Sequence, residues 1–496
     1  MAASRTSKVF ALSLGHALTT LVALVSGMVL ARVLSKADLA TYRQTMLAYD
    51  VVLPLLSLGL ASGIYYFLPT EKNRRRGVVL EGLLLMAGMG LLYALFIAAG
   101  GNHLLAKRFS NPAIVAPLAY LVPLPLLLLP AKLLSPVLVV QNQVTRLTAF
   151  NILTSLALAV GVIAACLTWQ TPDSMILVRV GVGVGVGLAS IWMIWTAVPR
   201  DDWRPQWGHM KTMVAYSLPL AGAAALGTLH IQLDKLIVSS LCAPEEFAVY
   251  SNGAIEIPLI GILTGSIAAV IQPDLRRMVA EGNLAGALDL FRQSALKSAA
   301  LLFPVMMVLL VSAEPFILTL FSSRYSGSVA PFRLYLLILP VRVVQFGALM
   351  MVLGLNRVML YRAFAGLLAN LVLSVVLVQK MGYLGAVIST VICLYAVNCT
   401  LNLGAICKAV GCRWWQVLPF AGLSRLALVA ALAALPAWAL RAAPLPALAP
   451  VWRLLLDGTC YAAALAALVW IFHVETYLRE GRILKDRFLA KIRMAR

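Results

Sequence analysis

The 496-residue chain is 61% hydrophobic and 12% charged, with seven cysteines and a formal net charge of +21. So apolar a composition excludes a water-soluble globular enzyme, because too few polar residues remain to cover a soluble surface. In a soluble protein a pI near 10 would suggest nucleic acid. Here the basic residues flank apolar stretches, which excludes that partner and points to a lipid bilayer.

Fourteen apolar stretches follow one another, each of about 20 residues, the length a helix needs to cross a bilayer core. They cover residues 9–31, 45–68, 78–99, 114–140, 147–168, 175–198, 213–241, 247–272, 295–314, 331–354, 359–378, 384–407, 417–440 and 454–473. The first exceeds a signal-peptide core and runs straight into Arg32, so it reads as a mature spanning helix. An all-α polytopic membrane protein is the expected fold class.

Orientation follows from Lys and Arg, which stay in cytoplasmic loops. With the amino terminus inside, the inner segments include Arg5, Lys8, Arg74 to Arg76, Arg276, Arg277 and a tail from Arg479. They hold about 25 bases against about 9 outside. Both termini are expected to be cytoplasmic. Arg74 to Arg76 read either as topology determinants, contacting anionic headgroups at about 1 kcal/mol per charge, or as a substrate-gathering patch. Residues 474–496 set Tyr477, Leu478, Leu484, Phe488 and Ile492 at helical spacing among bases, which reads as an interfacial amphipathic helix.

The fourth stretch carries Pro117, Pro123, Pro125, Pro130 and Pro136 around Lys132. Each proline removes a backbone donor and clashes with the preceding turn, so this helix should be kinked or interrupted. Broken helices in transporters line cavities, although a purely structural kink fits as well. In the sixth stretch Gly181, Gly183, Gly185 and Gly187 alternate with valine. A lone strand at membrane depth would leave its backbone unpaired, so the segment reads as a helix with two small-residue packing pairs, Gly181 with Gly185 and Gly183 with Gly187. The cysteines form no CxxC pair, and no ligand-type residue recurs at metal spacing around His230. No metal, disulfide framework or cofactor is expected.

An internal repeat organises the chain. Leu39-Ala40-Thr41-Tyr42 follows Asp38 after the first stretch, and Phe247-Ala248-Val249-Tyr250 follows Glu245 and Glu246 after the seventh, in a register of 208 residues. The next helix closes with Pro69 before Arg74 to Arg76 in one copy and with Pro273 before Arg276 and Arg277 in the other. Six helices intervene, so both copies point the same way and the repeat axis is expected along the membrane normal. The expected domains are a first lobe at 1–205, a second at 206–410, two extra helices at 411–473 and the basic tail at 474–496.

These residues carry a family resemblance. The segment from Ala31 to Tyr42, and the segments Leu233 to Leu236 and Glu245 to Ser251, resemble the first helix-loop and the exit of the seventh helix in polysaccharide flippases of the Wzx type. Those proteins belong to the multidrug/oligosaccharidyl-lipid/polysaccharide exporter superfamily. Ala40 and Ala248 depart from the pattern, standing where such proteins commonly have glycine. The resemblance implies two six-helix lobes around a central cavity that opens alternately to either side. It also implies an oligosaccharide on a polyprenyl diphosphate as cargo, for O-antigen, lipopolysaccharide or exopolysaccharide assembly alongside a polymerase and glycosyltransferases.

The charges agree with that chemistry. An uncompensated cation at mid-membrane costs about 2.5 to 3.5 kcal/mol, so Lys132 and Arg342 need polar surroundings, which a phosphate-binding cavity would supply. Arg32 and Lys235 fit a cavity mouth or gate. His230 and Asp234 share a helix face, where structural pairing and substrate contact are both open. Asp50, Asp234 and Glu256 are candidate counter-charges or ion-coupling groups. Arg179 and Arg425, nearer helix ends, are expected to snorkel to the interface.

Two other functions compete. A cation-coupled drug or metabolite antiporter would use the carboxylates, but the buried bases would repel a cationic drug. A polymerase, ligase or glycosyltransferase would need a catalytic loop, and the longest inner loop, near 273–294, has no metal or nucleotide signature. Flipping breaks no bond, so no nucleophile or general acid is required.

Overall fold

The computed structural model describes residues 5–71, 73–255, 257–442 and 448–472. Glu256 and the tail at 474–496, with the expectations placed on them, lie outside the described residues. The described chain is helical, and twelve of its helices are long and apolar enough to cross a membrane. They are α2 (Lys36–Thr70), α3 (Arg75–Arg108), α4 (Pro123–Val140), α5 (Val144–Thr168), α6 (Pro172–Ala197), α7 (Trp207–Leu241), α9 (Leu284–Val311), α10 (Ser323–Val352), α11 (Asn356–Met381), α12 (Tyr383–Val410), α13 (Phe420–Arg441) and α14 (Pro450–Ile471). Two more complete the series: α1 (Arg5–Val33), and α8, which is split into Pro244–Gly253 and Pro258–Ala280. This is a multi-pass membrane protein, and each of the fourteen apolar stretches falls on one of these helices.

The chain forms two compact units. The first comprises residues 1–251 and 370–386; the second comprises 252–369 and 387–496.

Within the first unit, the repeated loop motif is a helix start. The Ser35 hydroxyl accepts from the Asp38 amide at 3.0 Å and donates to the Asp38 carboxylate at 2.6 Å. At the start of α8 the Glu246 carboxylate accepts from the Ala243 amide at 3.0 Å. Asp38 and Glu246 are therefore the third helical residues of their helices. An acid there satisfies an orphan N–H and complements the helix dipole.

Helix α2 does not run straight. Pro54 weakens it, and Leu58 and Gly59 then adopt positive φ values of 49° and 65°. Gly59 also lies against α7 so closely that a Cβ would meet Ser217 O at 2.6 Å and Ala221 N at 2.7 Å. Only glycine combines that backbone with that approach. The proline-rich fourth stretch is interrupted as expected, into Val115–Tyr120, Pro123–Ala131 and Leu134–Val140, with Lys132 capping the middle piece. Of the two glycine pairs on α6, only Gly183 with Gly187 is buried; side-chain atoms there would strike Leu124 and Leu127 of α4. Gly181 and Gly185 face open space.

The arginines Arg74 and Arg76 also make contacts within the protein. Glu81, fully buried, accepts from Arg74 Nη2 at 2.6 Å and from the Gln206 amide at 2.7 Å, and also pairs with His209. Arg76 stacks over Trp195 at 5.0 Å. Asp201 accepts from the backbone amides of Arg75 and Arg76 at 2.9 and 2.8 Å, capping α3 from the segment that leads into α7. A carboxylate taken fully out of solvent is tolerated only when paired and hydrogen-bonded, and this one recruits the nearest guanidinium.

In the second unit, Ile271, Leu275, Phe291, Phe346, Leu349 and Ile406 form a core between α8, α9, α10 and α12. Helices α13 and α14 are fixed there by charge as well as by packing. Asp457, fully buried, lies 3.4 Å from Arg441 Nε and 3.5 Å from Arg453 Nε. Arg441 Nη1 also donates to Val311 O at 2.6 Å, reaching the end of α9. Arg425 donates to Phe472 O at 2.8 Å and is exposed, consistent with an interfacial arginine at a helix C-terminus.

Candidate functional site

Helices α2, α4, α6 and α7 of the first unit bring one carboxylate and three cations together. Asp50 on α2 interacts electrostatically with Arg179 on α6, Lys235 on α7 and Lys132 at the break in α4. At Lys132 and Leu133 the backbone amides bond to Leu129 and Pro130, three residues back, so α4 tightens there instead of continuing as regular α-helix. Both lysines are half-buried, and Asp50 is exposed.

Arg179 is the residue that linear depth misassigned. Instead of snorkelling to the interface it is half-buried, hydrogen-bonds the Tyr42 hydroxyl and interacts with Asp50 and Tyr49. It also lines a cleft of about 240 Å³ shared by α1, α2, α5 and α6, with Thr19, Ser26, Tyr42, Arg43 and Ser155 as the polar lining. Tyr49 and Tyr93 meet edge to face, with centroids 6.3 Å apart. Both their hydroxyls are buried with no hydrogen-bond partner among the described residues. Buried hydroxyls normally find partners, which sets these two apart.

A polar girder orients these helices. Gln44, fully buried on α2, donates to the Ser239 hydroxyl of α7 at 3.0 Å and accepts from Asn111 Nδ2 at 2.7 Å; Asn111 also donates to Thr41 at 3.1 Å. Gln44 lies six residues before Asp50 on the same helix, and Ser239 lies four after Lys235, one turn along α7. The Gln44–Ser239 hydrogen bond thereby sets the axial register of α2 against α7, the two helices that carry Asp50 and Lys235.

The other candidates separate. Asp234 is buried at 6% exposure and accepts from the Tyr250 hydroxyl at 2.5 Å, while the adjacent Lys235 turns to Asp50. Neighbours on a helix diverge by about 100°, and these two follow that rule. His230, one turn earlier on α7, is half-buried. Arg32 is exposed in the last turn of α1. Arg342 belongs to the second unit, where it ends the short helix Leu339–Arg342 and lines a cleft of about 50 Å³ with Ile255, Ile260, Tyr335 and Leu339. Among the described residues no group of three or more His, Cys, Asp or Glu side chains could hold a metal ion.

Comparison with known proteins adds the fold and the family. A solved structure of the lipid II flippase MurJ in an inward closed conformation is 13% identical, with 94% of this chain and 99% of that one covered at a TM-score of 0.70. A multidrug resistance MATE family transporter of the MOP superfamily is 15% identical in its inward-facing form, covering 82% of this chain and 95% of that one at 0.61. An outward-facing form of such a transporter is 14% identical, covering 82% and 96% at 0.56. No curated protein matches the chain. A family model described as polysaccharide biosynthesis protein matches residues 29–330. More than half of the sequence is covered by that match, which shows that the chain belongs to the polysaccharide biosynthesis protein family.

Proposed function

We propose that the protein is a flippase that moves a polyprenyl-diphosphate-linked oligosaccharide from the cytoplasmic to the outer leaflet of a bacterial plasma membrane, by alternating access, for cell-surface polysaccharide assembly. The observation that carries this reading is the charge of the first-unit cluster. Arg179, Lys132 and Lys235 against Asp50 leave a surplus of two positive charges, and a diphosphate diester carries two negative ones. Stripping such a headgroup of water without a polar route would cost tens of kcal/mol. A wet cationic passage removes that barrier while the polyprenyl tail stays in lipid. The matched family and the structure named as a lipid II flippase support the same reading.

The second reading, a cation-coupled antiporter, draws on the likeness to MATE transporters and on Asp50 and Asp234. It fits the cluster less well, since a cationic drug would meet net positive charge and Asp234 is already engaged by Tyr250. The deciding experiment is reconstitution into proteoliposomes with a fluorescent polyprenyl-diphosphate oligosaccharide. Movement of the probe between leaflets that Lys132→Gln with Arg179→Gln abolishes supports the flippase. Export of ethidium without movement of the lipid probe overturns it.

A further inference from the structure

Between Glu314 and Asp457 the chain has no Asp or Glu at all, yet it carries eleven Arg and Lys residues. Arg362, seven residues into α11, is one of them. It is half-buried, and its Nη1 donates to Asn402 Oδ1 of α12 at 2.7 Å. Asn402 is itself buried, at 2% exposure. The Nε of Arg362 is buried with no partner among the described residues, and the remaining electrostatic neighbour is the Cys399 thiol. One edge of the guanidinium, Nε with Nη2, is thus left over. That edge accepts a carboxylate or phosphoryl group through two parallel hydrogen bonds.

The backbone around it is also altered. Helix α12 is π-helical over Cys393–Cys399, immediately before Asn402. Such insertions concentrate at functional sites, where they re-aim side chains. Gly366, one turn after Arg362, lies so close to Asn398 that a Cβ would sit 2.9 Å from its Oδ1. A missing side chain therefore lets α11 approach the π-helical segment beside Arg362.

We infer that Arg362, with Asn402, forms a second anion site in the second unit, for a phosphoryl group. A membrane-depth guanidinium with an uncommitted fork and no carboxylate in its own stretch of chain is completed by an anion from outside. Three sources share that chemistry: the diphosphate of a lipid-linked sugar, the headgroup of an anionic phospholipid, and free pyrophosphate. The inference stands independently of the first-unit cluster.

The test uses the full chain in nanodiscs of neutral lipid. Binding of farnesyl diphosphate, inorganic pyrophosphate and phosphatidylglycerol is counted by native mass spectrometry for wild type, Arg362→Gln, Asn402→Asp, and Lys132→Gln with Arg179→Gln. Asn402→Asp gives the guanidinium an internal anion while preserving the helix pair, so it folds even if Arg362→Gln does not. For at least one probe, occupancy should fall about tenfold in Asn402→Asp and in folded Arg362→Gln while persisting in the first-unit double variant. The probe that responds identifies the source. Unchanged occupancy of all three probes in Asn402→Asp overturns the inference and leaves Arg362 as a helix-to-helix tie.

Discussion

Arg43 Nη1 donates to the Ser251 hydroxyl, and the two residues stand 208 positions apart, which is the register of the sequence repeat. Arg43 lies on α2 and Ser251 on the first half of α8, so equivalent positions of the two copies touch. The repeat that appears in sequence as a short apolar-aromatic motif is thus also a contact within the first unit.

That contact should be measurable. Interhelical hydrogen bonds in membranes contribute about 0.6 kcal/mol on average and about 1.7 at most. A double-mutant cycle of Arg43→Gln and Ser251→Ala, read by reversible unfolding in mixed micelles, should give a coupling near the upper value because the donor is charged. Additive single effects would show that the pair contributes nothing.

The cluster substitutions should act in opposite directions. Lys132→Gln, Arg179→Gln and Lys235→Gln each remove attraction for the diphosphate, and transport should fall at least about tenfold, equivalent to 1.4 kcal/mol, with insertion and protein level near normal. Asp50→Asn raises the surplus charge, so the substrate should bind more tightly and leave more slowly. Equilibrium binding and flux measured on the same preparation separate the two effects. Asp234→Asn should instead reduce stability by about 1 to 3 kcal/mol, since it disturbs a buried acceptor. Wild-type flux in the cation variants would remove the cluster from the transport path.

Much of this was legible in the sequence, for a physical reason. The bilayer forces each crossing to be a helix of known length, so hydropathy alone located the fourteen helices. Prolines located the interruption at Lys132 for the same reason. Helix rotation was not legible. α6 is apolar on every side, so nothing in its sequence says that Arg179 faces Tyr42 and Asp50, and linear depth suggested the interface instead. The pairing of Arg74 was not legible either: Glu81 holds it together with His209, which reaches Glu81 from 128 residues further along the chain. The bend at Gly59 escaped because its cause, the backbone of α7, is equally remote.

The glycines of α6 offer a test of that rotation. Gly183→Ala and Gly187→Ala would press a methyl group into Leu124 and Leu127, costing about 1 to 3 kcal/mol by overpacking. Gly181→Ala and Gly185→Ala point into open space and should be neutral or stabilising by up to about 1 kcal/mol. Thermal stability in detergent distinguishes the pairs, and equal losses for all four would contradict the packing against α4.

Topology is best read at Ala243, because Cys242 is a poor reporter. Cys242 is buried at 8% exposure, and burial, reinforced by the nearby Glu246 charge, pushes its thiol up to about 11. Only the thiolate reacts, so at pH 7.5 Cys242 should resist a membrane-impermeant maleimide, and its labelling should rise roughly tenfold per pH unit toward the raised value. Ala243→Cys, exposed in the same loop, should label in intact spheroplasts, while Cys412 should not. Labelling of Cys412 from outside, with Ala243→Cys protected, would reverse the proposed orientation.

The last prediction concerns driving force. Carrying each negative charge outward across an inside-negative membrane is favoured by about 2.3 kcal/mol per 100 mV, so a diphosphate with two charges gains nearly 5 kcal/mol without a coupling ion. This holds if no cation travels with the substrate and if the empty protein resets without moving net charge. The first-unit cluster carries a surplus of two positive charges, so it meets the second condition when it keeps its depth in the membrane while the helices around it rock. In proteoliposomes without Na⁺ or pH gradients, a valinomycin-set potassium potential should accelerate the lipid-linked sugar toward the positive side and slow the reverse movement. Asp50→Asn should leave that voltage dependence intact while lowering turnover. Flux that ignores potential but requires a proton or Na⁺ gradient, and loses that requirement in Asp50→Asn, would make Asp50 a coupling residue and replace this mechanism with ion-driven exchange.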